Sequence, residues 1–91
     1  MKEEIRSQLE RELEEEVKKY LARSIRDGLE NMADLVANDK ADVSLAIRSL
    51  QATLHIAQKV GIPFDKIYWS VIYFLESVRK RVIEYEKSRG G

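Results

Sequence analysis

Apolar residues recur along most of the chain at intervals of three and four, the spacing that gathers them on one face of an α-helix. Ile5, Leu9, Leu13, Val17 and Tyr20, followed by Ile25, Leu29, Met32 and Val36, mark a first helix from about Glu3 to about Ala37. The polar run Asn38-Asp39-Lys40 breaks it. Asp39 or Asp42 is then expected to cap a second helix, because a short carboxylate accepts the free backbone N–H groups of the first turn. That helix runs to about Val60, with Gly61 as its left-handed cap. Pro63 suits the first turn of a third helix, from about Phe64 to about Lys87. One all-α domain over residues 1–87 is predicted, with 88–91 as a flexible tail.

Angular position at about 100° per residue adds more than the boundaries do. On the first helix, Ile5 to Tyr20 centre near about 200°, whereas Ile25, Leu29, Met32 and Val36 centre near about 350°, a rotation of roughly 150°. A straight helix shows such a stripe to one straight partner only by bending or supercoiling. Otherwise its halves face different partners, or it breaks near Asp27-Gly28. Unbroken, it would be roughly 50 Å long against roughly 27 Å for the second helix, so its N-terminal half is expected to overhang the core. An overhanging amphipathic arm needs another surface, and a second copy of the chain is the most economical one.

The second helix carries a core stripe of Val43, Ala46, Ile47, Leu50, Leu54 and Ala57, and a weaker apolar set, Leu45, Ala52 and Ile56, on the opposite side. Two apolar faces predict a sandwiched helix. The third has its stripe at Phe64, Ile67, Val71, Phe74, Leu75, Val78, Val82 and Tyr85, broadened by Tyr68, Ile72 and Ile83. Trp69 and Tyr73, four apart, point nearly away from it; with Ile72 they are read as an interface patch, since aromatic side chains supply large contact area. A three-helix chain of this size buries only about 60–65% of its unfolded surface and is marginal alone. The fold expected is an all-α three-helix bundle completed by dimerisation.

Composition narrows the chemistry. The 91 residues contain no cysteine, which removes disulfide frameworks, thiolate nucleophiles and cysteine metal sites and suits a reducing compartment. One histidine, His55, cannot make a zinc site that needs two imidazoles. Seven glutamates in Met1–Val17 leave no apolar core for a leader, and the longest apolar run, Ile67–Leu75, falls well short of a membrane span, so a soluble cytoplasmic protein is expected. Charged residues make up 35% of the chain and there are few Asn and Gln, a balance found in thermophiles. With only four glycines, no glycine-rich phosphate loop can be written.

The densest acidic group is Glu10, Glu12, Glu14, Glu15 and Glu16. Its plain reading is a solvated face near a helix N-terminus, favoured by the dipole and balanced by nearby Arg and Lys. Glu12-Leu13-Glu14-Glu15 is also an ExxE, and Asp39-Lys40-Ala41-Asp42-Val43 stands where an ExxD-V would follow. Together with the Val60-Gly61-Ile62-Pro63 step, these residues resemble the all-α nucleotide pyrophosphohydrolases of the MazG type. That resemblance, loose and covering roughly Asp39 to Val71, implies Mg²⁺ held by Glu12, Glu15, Asp39 and Asp42, with a metal-activated water attacking a nucleotide's phosphate chain. Asp39 departs from the family's glutamate. Arg89-Gly90-Gly91 is similar to the end of ubiquitin-like modifiers, but no strand for their β-grasp fold is readable.

His55 lies on a polar helical strip with no nucleophile or orienting acid in view and is read as a surface histidine. Arg79, Lys80 and Arg81 are the candidate contacts for nucleic-acid phosphates. Net charge, however, is zero, with 16 basic and 16 acidic side chains. Three basic and seven acidic residues give −4 over Met1–Glu16, while five basic and three acidic give +2 over Glu76–Gly91. These ends are expected to pair across an antiparallel dimer. The leading reading is therefore an assembly module acting as a homo-oligomer, without a cofactor. Its interface residues are Leu9, Leu13, Val17, Trp69, Ile72 and Tyr73. The Mg²⁺-dependent enzyme and the nucleic-acid accessory protein are the alternatives.

Overall fold

A computed structural model describes residues 1–90. Its first element, α1 (Lys2–Ala37), passes through Gly28 without a break. A mid-helix glycine costs about 1 kcal/mol relative to alanine. The Leu, Glu, Arg, Ala and Met residues around it are strong helix formers and keep the ladder intact. The helix ends where Asp39 turns left-handed, at φ 56°. There Lys40 N–H bonds to the Leu35 carbonyl at 2.7 Å and Asp39 N–H to that of Val36 at 3.1 Å, closing the last turn as a Schellman motif. The Asn38 side chain adds a bond to the Asp34 carbonyl at 2.8 Å.

Asp42 is the N-cap residue of α2 (Val43–Val60), although its carboxylate makes no capping bond; its carbonyl takes the Ala46 N–H at 3.0 Å. Gly61, at φ 83°, closes α2, and Ile62 N–H reaches the Ala57 carbonyl at 2.9 Å. The third helix differs from expectation at both ends. Pro63 introduces a single 3-10 turn at Phe64–Lys66, and α3 (Tyr68–Gly90) starts after Ile67, whose φ of −122° interrupts the helical path. At the other end α3 continues through Ser88 and Arg89 to Gly90, beyond the boundary predicted at Lys87. Gly91, the last residue of the expected flexible tail, lies outside the described residues.

The helices run up, down and up. Arg26 donates to the Lys66 carbonyl at 3.0 Å and the Ser70 hydroxyl to Glu30 at 3.2 Å, so α3 lies parallel to the second half of α1. α1 and α3 share the most extensive packing, and α2 touches α3 least. The core combines Ala22, Leu29, Ala33 and Val36 of α1 with Ala46, Leu50 and Ala57 of α2, Ile67 at the entry to α3, and Val71, Phe74 and Val78 of α3. Alanines at the crossings let the backbones approach, and Phe74, 0% exposed, fills the space they leave.

Core and overhang are unequal. The body is built on α1 from about Lys18 onward, where the half-buried Lys18 side chain lies beside Gly61, and Lys2–Val17, roughly 24 Å of helix, projects from it. α3 projects from the opposite end beyond Arg81. The molecule measures 72 × 19 × 16 Å, with a radius of gyration of 17.9 Å. A compact chain of this length would have about 12 Å.

Candidate functional site

Packing inside the body uses only the second half of the α1 stripe. Ile5, Leu9, Leu13, Val17 and Tyr20 are each more than half exposed. They sit on one unbroken helix at spacings of three and four, flanked by the seven glutamates, so the arm is an amphipathic helix whose apolar face has no cover among the described residues. Its local ion pairs, Arg6–Glu10 at 3.2 Å and Lys19–Glu16 at 3.6 Å, are solvent-exposed and shape the polar flank rather than cover the apolar one.

α2 is packed on one side only. Ala46, Leu50 and Ala57 are buried, while Leu45, Ala52 and Ile56, the set expected to be sandwiched, stand open. Ile47, expected in the core stripe, is also exposed. Between α1 and α2 runs an apolar groove walled by Leu21, Ile25 and Met32 on one side and Thr53, Ile56 and Val60 on the other, with Phe74 at its floor. Gly28 lines the α1 wall. Sequence reasoning missed this groove. Only Leu21 and Gly28, four and three residues from Ile25, carried a signal of it.

On α3 the stripe divides. Ile67, Val71, Phe74 and Val78 are buried, whereas Phe64, Leu75, Val82 and Tyr85, assigned to the same stripe, are exposed. The first lies in the 3-10 turn and the last two lie past the end of α1. Trp69 is 77% exposed, with its ring edge-on to Tyr68, which is edge-on to Phe64. Ile72 is half-buried. Tyr73 is exposed, and its hydroxyl donates a hydrogen bond to the Asp34 carboxylate. That bond first, and the carboxylate's charge second, raise the Tyr73 pKa above its ordinary value. The aromatic patch and the arm are on different parts of the molecule: Trp69 lies about 140° around α3 from Phe74, the residue at the groove floor.

The four carboxylates of the metal reading are not brought together. Glu12 and Glu15 lie on the arm, while Asp39 and Asp42 lie at the α1–α2 turn, roughly 35–40 Å further along α1. Asp39 is in a left-handed turn rather than on a helix, and the Arg81 guanidinium occupies its carboxylate at 2.8 Å. Among the described residues no three His, Asp or Glu side chains gather where a metal ion could be held. Of the basic trio, Arg81 is turned inward and also pairs with Glu84 at 3.6 Å, leaving Arg79 and Lys80 exposed. His55 is exposed on the polar side of α2. Among the described residues, no helix is long and apolar enough to cross a membrane.

Comparison with known protein families, characterised proteins and solved structures returns no match for this chain.

Proposed function

We propose that the chain is an α-helical assembly module that works as a homodimer, with the projecting arm of α1 as its principal contact. The observation that carries this reading is the bare stripe Ile5, Leu9, Leu13 and Val17 on an arm that nothing among the described residues covers. Surface area agrees in size. The chain exposes 7370 Å². A compact monomer of this mass exposes roughly 5,500 Å². The excess is larger than the roughly 800 Å² per partner of a standard stable interface. The absence of cysteine suits work in a reducing compartment such as the cytoplasm.

Magnitudes also limit how the arms are used. Completing the burial of a half-exposed aliphatic side chain contributes about 1 kcal/mol. Four such residues on each of two arms give about 8 kcal/mol, within the range of roughly 4–15 kcal/mol that association costs. Arms touching only each other would break even, so the arm needs a seat with apolar lining of its own.

Light scattering across a concentration series tests the reading. The native chain should have twice the monomer mass, with or without Mg²⁺. Leu9→Glu and Leu13→Glu should each give a monomer of unchanged helix content, because neither residue touches the core. A native chain that stays monomeric would contradict the proposal. A melting temperature that rises with Mg²⁺ and loses that rise in Asp42→Asn would favour the metal-dependent alternative.

A further inference from the structure

We infer that the α1–α2 groove is the seat of the partner's arm, so that in an antiparallel dimer each arm becomes the fourth helix of the other protomer's body. This rests on the homodimer reading above and specifies where the contact is made. Ile5, Leu9, Leu13, Val17, Leu21 and Ile25 follow one another at intervals of four. Each interval advances the stripe by about 40°, so the line winds around α1 in a right-handed sense. It leads from the bare face of the arm into the α1 wall of the groove, which Leu21 and Ile25 help form. Arm and groove are thus one continuous apolar surface, covered by nothing among the described residues.

Symmetry then selects the direction. In a parallel pair, arm would lie on arm and both grooves would stay open. An antiparallel pair crossing near Lys18 and Lys19 lays each arm along the other's groove and closes with two-fold symmetry. Charge supports the same pairing. The arm carries −4 over Met1–Glu16, whereas α2 has Arg48 and Lys59 and no acidic residue. Leu45 and Ala52, exposed on the flank of α2 beside Ile56, would extend the seat. Gly28 falls opposite Leu9 in this register. A Cβ there would meet nothing within 4 Å, so the missing side chain leaves room for a second helix to approach.

The chain has no cysteine, so introduced ones report unambiguously. Leu9→Cys chains carrying a mass tag are mixed with untagged Thr53→Cys chains and oxidised, and separately with Val82→Cys chains, which report the arm lying on the basic overhang of α3. The expected result is a disulfide-linked tagged–untagged dimer for Leu9 with Thr53 and none for Leu9 with Val82. A dimer that links Leu9 to Val82, or links neither pair, overturns the groove as the seat and leaves dimerisation standing. A cysteine-free chain that is monomeric by light scattering overturns both. Gly28→Leu fills the approach without touching the core and should weaken dimerisation roughly tenfold or more. Unchanged dimerisation in that variant would also count against the groove.

Discussion

Phe74 is 0% exposed where the three helices meet. Phe74→Ala should therefore lower unfolding stability by about 3–5 kcal/mol in urea titrations. A loss below about 1 kcal/mol would mean that the ring is not enclosed. The two internal glycines predict opposite signs for one substitution. Gly61 sits at φ 83°, so Gly61→Ala should cost about 1–2 kcal/mol. Gly28 is helical with open space around it, so Gly28→Ala should stabilise the monomeric Leu13→Glu background by up to about 1 kcal/mol. Tyr73 supplies a pH test. Its pKa is raised in the folded chain by the bond to Asp34. Its stabilising contribution is fully present below the ordinary tyrosine value near 10 and is lost as pH rises through the raised folded value. Tyr73→Phe should remove the raised ionisation step from an alkaline absorbance titration, and the stability gap to the native chain should close at high pH.

At the level of elements, the helices were legible because their signals are local. The three-and-four spacing, the break at Asn38-Asp39-Lys40 and the left-handed Gly61 are each contained within a few residues. The 3-10 turn at Phe64–Lys66 was not, since Pro63 fits the entry to either helix type and the choice is made by Ile67 dropping into the core. Periodicity marked the apolar faces but could not say which would be covered. Leu13 and Leu29 read alike in sequence; one is 69% exposed and the other 3%, because α2 and α3 accompany only the second half of α1. The same limit hid the groove, whose two walls come from different helices in a register fixed by tertiary packing. The length mismatch was readable, and it correctly placed the overhang. Trp69, read with Ile72 and Tyr73 as an interface patch, is exposed on α3, and no contact among the described residues tests that reading. With dimerisation assigned to the arm, Trp69→Ala should leave the solution mass unchanged, and its fluorescence should stay readily quenched by acrylamide in the dimer.

Across the whole molecule, two overhangs of opposite charge project from opposite ends of a small body, and the 17.9 Å radius of gyration reflects this. The chain exposes more surface than a compact monomer of 10.6 kDa, and the arm, the groove and the flank of α2 contribute apolar side chains to it. In the dimer proposed above, a second copy would supply both the missing helix for each groove and the missing cover for each arm. The most direct measurement is the mass of the native chain by light scattering over a wide concentration range, beside Leu13→Glu. A stable dimer for the native chain and a helical monomer for the variant are predicted. A native chain that remains monomeric at every concentration would contradict the account.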